Sequence, residues 1–209
     1  MTQVRTVREA RADDVPAIRT VLAHAFHDDA LVRWVLPDEA TRDDVVAAWF
    51  GALIDRYVAV GKVEVVEVDG SVAAVAAWRP PQIPEGHPVL ESLPSVPGVV
   101  TAVVGPERAA HVFATLGRTA GLAPAETATY LHLLAVRPDQ QGRGLGSLLV
   151  NRGLAAADER GLTAWLCTAE QRNVVLYERL GFVGVGDVPL DDAATLRAMH
   201  RAPQAAGLR

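Results

Sequence analysis

Three kinds of structure follow one another in LHLLAVRPDQQGRGLGSLLV, residues 131–150. An apolar run of strand type comes first and ends before Pro138, because the residue that precedes a proline is pushed out of the helical region. Glycine-rich residues 141–146 follow, and then a segment of helical period. Glycines let the backbone approach a ligand closely, and the first amides of a helix have no intrahelical partner and lie at the positive end of its dipole. The segment therefore predicts a strand, a loop and a helix that bind an anion, most often phosphate.

The spacing of the glycines distinguishes three kinds of phosphate-binding loop. A dinucleotide loop has Gly-x-Gly-x-x-Gly with an acidic residue about 20 positions later, and a nucleoside-triphosphate loop has Gly-Lys-Ser/Thr after four spacers. Neither pattern is present, since the three glycines of residues 141–146 alternate with other residues. The third pattern, Gln/Arg-x-x-Gly-x-Gly/Ala after Val-x-Pro, is matched by Val136, Pro138, Gln141, Gly144 and Gly146. A turn that binds no ligand is the alternative interpretation.

This third pattern resembles the pyrophosphate-binding motif of the GNAT superfamily of acyl-CoA-dependent N-acyltransferases. A second segment, Asn173 to Phe182, looks like the Asn-x-x-x-Tyr-x-x-x-Gly-Phe signature that follows the fifth strand of these enzymes. Asn173 and Tyr177 are four residues apart, so they share one face of a helix. The layout as a whole is similar to the puromycin N-acetyltransferase-like group of small-molecule acetyltransferases. The resemblance implies an α/β (α+β) fold, GNAT-like, with a mixed, largely antiparallel sheet, a central parallel strand pair and flanking helices.

Composition limits the remaining classes of protein. The chain has 209 residues, 50% of them hydrophobic and 22% charged, which is typical of one soluble globular domain. We expect a cytoplasmic protein with no membrane partner, because no apolar run is long enough to span a bilayer and no signal peptide is visible. The net charge of −5 argues against nucleic acid as a partner. A lone Cys167 excludes an internal disulfide and a cysteine metal cluster, and no metal is expected.

The rest of the chain predicts one domain, a GNAT N-acetyltransferase domain over residues 1–209. Its first half is expected to hold a strand at residues 3–10, a helix capped by Asp13 or Asp14, an apolar connector at 31–37, and a helix that begins near Thr41 with Asp44 as a capping-box partner. A hairpin turning at Asp69-Gly70, an irregular proline-rich insertion at about 79–105 and a helix at 106–117 come next. Strands at 127–136 and 162–168, on either side of a helix at 144–160, predict the parallel pair. A short helix at 173–180 and strands at 182–185 and 195–200 complete the expected order.

The resemblance also implies the chemistry. We expect direct transfer of an acetyl group from acetyl-CoA to a primary amine of a small molecule, either a metabolite or an antibiotic. Three alternatives remain open: a protein or peptide amine as the acceptor, a CoA-binding module without transfer activity, and a regulator that binds no CoA. The length of the acyl group on the donor and the oligomeric state are also open, although a homodimer is common in this superfamily.

The residues expected to bind the cofactor follow from the two motifs. Backbone amides of the loop are expected to take the pyrophosphate, the end of the strand to pair with the pantetheine amides, and an amide near Val136 to stabilise the oxyanion. The cofactor-binding residues predicted in this way are Leu134, Ala135, Val136, Gln141, Gly142, Arg143, Gly144, Leu145, Gly146, Ser147 and Asn173. For Asn173, capping of its own helix is an equal alternative.

The resemblance makes Tyr177 the general acid, with a packed aromatic side chain as its alternative role. His132 is the candidate base, because it is expected to share a sheet face with Tyr130 and Leu134 and could relay a proton through water; a hydrogen-bonded core histidine is the alternative. Other candidate bases are Asp28, Asp29 and Glu170. Phe26, Trp34 and Trp78 are expected to line the acceptor pocket, although tryptophans are commonly core residues. Cys167 is not expected to carry the acyl group, since no His–carboxylate pattern accompanies it.

Overall fold

A mixed sheet of seven strands runs through the part of the chain that the computed structural model describes, residues 4–60, 62–82 and 88–204. The strands are β1 (Arg5–Glu9), β2 (Val63–Val68), β3 (Ser71–Arg79), β4 (Ala128–Val136), β5 (Thr163–Thr168), β6 (Val183–Leu190) and β7 (Ala194–Arg201). Their spatial order is β1-β2-β3-β4-β5-β7-β6. Every neighbouring pair is antiparallel except β4 and β5, which are parallel. The predicted fold class, with its central parallel pair, is confirmed.

Helices cover both faces of this sheet and form two separate cores. They are α1 (Val15–Phe26), α2 (Ala30–Val35), α3 (Arg42–Ala59), α4 (Pro88–Ser92), α5 (Val96–Val104), α6 (Pro106–Gly117), α7 (Leu145–Glu159) and α8 (Gln171–Arg179). One core joins α1, α2, α3, α5 and α6 to the sheet, and the other joins α7 and α8 to its opposite face. Among the described residues, no helix is both long and apolar enough to cross a membrane.

The hairpin between β2 and β3 forms as its turn residues predict. Asp69 and Gly70 have φ angles of 51° and 79°. Positive φ at both central residues is the requirement of the two-residue turn whose twist matches that of paired strands. Val68 and Ser71 are accordingly paired on either side of it.

Two predicted helix caps were wrong, because the side chains bind elsewhere. The Asp14 carboxylate accepts hydrogen bonds of 2.6 and 2.7 Å from the Arg8 guanidinium, and one of 2.7 Å from the amide of Arg11. The Thr41 hydroxyl donates to Asp38 and caps nothing in α3.

Two segments that were not predicted to be helical contain helices, the apolar connector and the irregular insertion. The connector at 31–37 includes most of α2, whose first amides are capped by the carboxylate of Asp29. The proline-rich insertion at 79–105 contains α4 and α5, and Ser95 caps α5 by accepting a hydrogen bond from Gly98. Prolines are tolerated there because Pro88 and Pro97 lie in the first turns of these helices, where the missing amide proton has no intrahelical acceptor. Residues 83–87 of the insertion, and Gln3 of the first predicted strand, lie outside the described residues.

β4 contains one residue more than the part of β3 that pairs with it. Ala77 pairs with Leu133 and Trp78 pairs with Leu131, so His132 between them is a β-bulge. The parallel ladder with β5 ends at the same place, where Leu131 pairs with Leu166. A bulge bends the strand that carries it. β4 therefore parts from β5 after Leu131, and residues 132–136 keep one strand edge that β5 does not cover.

The bulge also exchanges the two faces of β4. Leu131 belongs to the core under α7, whereas Leu133 and Ala135 belong to the core on the α1 side. Residues two apart would share a face in a regular strand. As a result, Leu134 packs against the α7 core and not on the same face as His132 and Tyr130, whose rings are 5.1 Å apart. The expectation that these three residues share one face was wrong for Leu134.

Helix α7 lies close to β3 because Gly153 faces the ring of Trp78. A Cβ atom on Gly153 would overlap the buried indole of Trp78. We predict that Gly153→Ala lowers the free energy of unfolding by about 1–3 kcal/mol, because overpacking outweighs the better helix propensity of alanine. Urea unfolding would measure the change.

Gly117→Ala is the matched control for that substitution. Gly117 is likewise a helical glycine, the last residue of α6 with a φ of −57°, and a Cβ atom added to it would meet no other atom within 4 Å. Its replacement is expected to be neutral or to stabilise by up to about 1 kcal/mol. Equal effects of the two substitutions would contradict the packing argument.

Candidate active site

Two cavities meet where β4 and β5 part. The first, which we call the loop groove, has a volume of about 310 Å³. It runs from residues 140–147 along the end of β4 to α8, with α1 on its other side. Its two ends therefore carry the two motifs that the sequence singled out, the glycine loop and the Asn173–Tyr177 helix.

The loop groove presents unpaired backbone amides at the start of α7. Gly142 and Gly144 have φ angles of 73° and 79°, which side-chain-bearing residues rarely adopt. Leu148 makes the first bond into the helix, to the carbonyl of Gly144, so the amides of residues 145–147 have no intrahelical partner. The Gln141 side chain donates to the carbonyl of Val136 at 3.1 Å and ties the loop to the end of β4. This arrangement suits an anion held beside the open edge of β4.

The second cavity, which we call the aromatic cavity, lies on the α1 side of the sheet and also has a volume of about 310 Å³. Its aromatic walls come from α3, α6, β4 and β5, and consist of Trp49, Phe50, Phe113, Tyr130, His132 and Trp165. Val96 of α5 adds an apolar wall from the segment that had been predicted to be irregular. Phe26, Asp29, Leu134, Asn173 and Tyr177 line both cavities, and we call these five residues the junction.

Tyr177 is buried in the junction. Its side chain is only 6% exposed and packs edge-on against Phe182 at 5.7 Å. Burial raises the pKa of Tyr177 well above its usual range, and the negative charge of Asp29 raises it further. The phenol therefore keeps its proton throughout the neutral pH range and makes no hydrogen bond to any described residue.

Asp29 brings a carboxylate to the same junction. Its Oδ1 atom accepts hydrogen bonds from the amides of Leu31 and Val32, at 2.9 and 3.1 Å, and so caps α2. Burial raises the pKa of Asp29 to about 6, with the nearby charge of Glu170 acting in the same direction against the hydrogen bond from Val32. Such a group is mostly ionised at neutral pH and has the basicity to accept a proton.

His132 lines the aromatic cavity, but its geometry favours the neutral form. Its Nδ1 atom lies 2.6 Å from the hydroxyl of Tyr57. Burial raises the pKa of Tyr57 to about 12, so the phenol is the donor and the imidazole proton is assigned to Nε2. Burial, together with the charge of Arg79, lowers the pKa of His132 to about 4. An imidazole of this kind is a weak base, which favours Asp29 over His132 as the proton acceptor.

Of the remaining predicted site residues, Asn173 lies in the junction, whereas Glu170 and Asp28 do not. Asn173 is the third residue of α8, so the alternative in which it caps that helix is excluded. Glu170 lines neither cavity, and its carboxylate accepts a hydrogen bond of 2.9 Å from the amide of Ala30. Asp28 lies in a separate outer depression beside α2.

Two of the three aromatic residues predicted for the acceptor pocket lie elsewhere. Trp78 is on the opposite face of the sheet under α7, and Trp34 donates its indole proton to Asp191 at 2.8 Å beneath the guanidinium of Arg108. Only Phe26 reaches the junction. The aromatic residues that do form the wall include Trp49 and Phe113, which sequence reasoning missed because they recur at helical spacing like ordinary core residues.

The fold and a sequence-family model place the chain in one known family. The chain belongs to the acetyltransferase (GNAT) family, whose sequence model matches residues 7–182.

Individual relatives resemble the chain over its length or over a part of it. A solved structure from Corynebacterium glutamicum, described as histone acetyltransferase HPA2 and related acetyltransferase, is 27% identical with a TM-score of 0.69 and covers 98% of this chain and 99% of its own. The polyamine N-acetyltransferase of Drosophila melanogaster, which forms N-acetylagmatine, shares the fold at 16% identity and a TM-score of 0.58, over 95% of this chain and 100% of its own. Mycothiol acetyltransferase of Streptomyces coelicolor is 41% identical over 56 residues, or 25% of this chain. The match spans 18% of that curated relative's length.

Proposed function

We propose that this protein is an acetyl-CoA-dependent N-acetyltransferase that transfers the acetyl group directly to a primary amine of a small molecule. The observation that carries the proposal is the junction, where a proton-holding phenol and a carboxylate of raised pKa lie between two cavities. Helices α3, α5 and α6 wall the aromatic cavity, and its volume lies at the lower end of the range for small-molecule sites. This enclosure favours a small acceptor over an extended protein segment.

The loop groove fits coenzyme A. The amides of residues 145–147 would hold the pyrophosphate at the positive end of α7. The open edge of residues 134–136 would pair with the two amides of pantetheine as a neighbouring strand does. Acetyl-CoA, when bound, supplies an acetyl thioester at the junction, and a backbone amide near Val136 is the proposed donor to its carbonyl oxygen.

Asp29 and Tyr177 divide the proton transfers in the proposed mechanism. Asp29 attracts the ammonium form of the acceptor and takes one of its protons, which leaves a neutral amine as the nucleophile. Tyr177 donates its proton to the sulfur as the carbon–sulfur bond breaks, and its phenolate takes the second proton of the attacking nitrogen. The products are then the N-acetylated amine and the free thiol, with one proton left on Asp29. A thiol with a pKa near 8.5 is a tolerable leaving group, so the donation by Tyr177 assists the step without being indispensable.

The proposed function predicts that the glycine loop binds acetyl-CoA. Acetyl-CoA at about 100 times its Kd should raise the melting temperature of the wild-type protein by about 5–10 °C, because a ligand that binds only the native state stabilises it. Gly144→Val should abolish most of this shift, since valine resists the left-handed conformation that aims the amides of α7.

Gly161→Val is the control for the loop. Gly161 follows the other end of α7 with a φ of 63°, and, as at Gly144, a Cβ atom added there would meet no other atom within 4 Å. Both variants lose stability for the same backbone reason, but only Gly144→Val should lose the response to acetyl-CoA. An unaltered response in Gly144→Val would mean that the loop is only a turn.

A second prediction concerns the phenol. Tyr177→Phe should lower kcat about 100-fold, at the lower end of the range for loss of a general acid, and should leave the KM for acetyl-CoA nearly unchanged. Steady-state release of CoA measures both constants. A variant with wild-type kcat would exclude Tyr177 as the acid.

A third prediction concerns the carboxylate and its pH dependence. With a pKa of about 6, Asp29 becomes protonated as the pH falls below that value and can no longer accept a proton, so kcat/KM should fall along an acid limb. Asp29→Asn should lower kcat/KM at pH 8 about 100-fold and remove this limb. Asparagine is as good a helix cap as aspartate, so α2 is retained. An acid limb that persists in the variant would rule out Asp29 as its source.

A further inference from the structure

The aromatic cavity contains a cation that has no anionic partner among the described residues. Arg79, the last residue of β3, lines the cavity and is half-buried. Its guanidinium carbon lies 4.7 Å from the centre of the Tyr130 ring and 5.8 Å from that of Trp165. Within residues 4–60, 62–82 and 88–204, its guanidinium forms neither an ion pair nor a hydrogen bond. Within the described part of the chain, its position is fixed by stacking on these two rings, beside the space that an acceptor would enter.

Arg79 lies at the far end of the cavity from the junction. It pairs with Tyr130 across β3 and β4, and Leu134 of the junction is four residues further along β4. At about 3.3 Å per strand residue, this separation is roughly 13 Å along the strand, before the length of the arginine side chain is considered. A carboxylate at Asp29 and a guanidinium at Arg79 thus both line the aromatic cavity, at positions separated along β4.

From this arrangement we infer that the acceptor is an amine that also carries a carboxylate, joined to the amine by an aromatic or apolar spacer. The inference rests on the proposed N-acetyltransferase function. The ammonium end is placed at Asp29 and the carboxylate at Arg79, where the planar guanidinium can form two parallel charge-assisted hydrogen bonds. The apolar surfaces of Trp165 and Phe113 contact the spacer. A diamine of similar length is disfavoured, because its second ammonium would meet the like charge of the guanidinium.

Paired substrates test the inference directly. Phenethylamine and 4-(2-aminoethyl)benzoate differ only in a carboxylate, and octylamine and 8-aminooctanoate form a second pair with a longer spacer. We expect kcat/KM to be at least about tenfold higher for the carboxylate-bearing member of one pair, in line with the strength of a hydrogen bond between charged groups. The diamine 4-(2-aminoethyl)benzylamine should be the poorest of the aromatic substrates.

Substitutions at Arg79 connect the preference to this side chain. Arg79→Gln should lower kcat/KM for the carboxylate-bearing substrate to the value for its parent amine. The same substitution should leave kcat/KM for the parent amine within about threefold of the wild-type value. Arg79→Lys keeps the charge but loses the bidentate geometry, so its preference should be intermediate. The ratio of the two kcat/KM values within a pair is informative even where a variant is less stable, because a smaller fraction of folded enzyme lowers both values by the same factor.

The outcomes separate failure of this inference from failure of the proposed function. If phenethylamine and octylamine are acetylated as well as their carboxylate-bearing partners, the inference is overturned and the proposed function stands. The inference is also overturned if Arg79→Gln lowers kcat/KM by the same factor for both substrates of a pair, since the guanidinium would then have a structural role only. Binding of acetyl-CoA without acetylation of any of the five amines would overturn both.

Discussion

The extra residue in β4 is the constraint on which the rest of the site depends. Because His132 has no partner of its own in β3, β4 bends at the point where its ladder with β5 ends. The bend separates the strands, leaves a free edge on residues 132–136 and turns Leu134 toward α7, beside the glycine loop. The rings of Tyr130 and His132 lie together on the opposite face, as residues two apart in a strand do. The bulge thus lies where the loop groove and the aromatic cavity meet.

Burial at that opening acts on two ionisable groups with different consequences. It raises the pKa of both Asp29 and Tyr177, but from different starting values. The carboxyl group reaches a pKa of about 6, whereas the phenol moves further from neutrality, partly because Asp29 is charged. A single apolar environment can therefore provide a group that accepts a proton and another that retains one.

Sequence reasoning succeeded where structure is determined locally. Glycine spacing and Pro138 specify the strand, loop and helix without help from distant residues, and the hairpin turn follows from Asp69-Gly70. It failed where another side chain competes: Asp14 binds Arg8, six residues earlier in β1, instead of capping α1. The aromatic cavity could not be predicted from the sequence either. Its walls come from elements more than 100 residues apart, and the bulge reverses the face of every later residue in β4. Trp78 was misassigned for the related reason that strand periodicity does not indicate which of two apolar faces is the site.

The two cavities also differ in how their walls are encoded. The loop groove is built largely from one continuous segment, residues 134–147, together with α8. The aromatic walls are scattered over α3, α5, α6 and the strands. Under the proposed function, substitutions in α3, α5 or α6 would reshape acceptor choice without altering the residues that form the loop groove. Related chains that retain the loop are accordingly expected to diverge first in their substrates and only later in their chemistry.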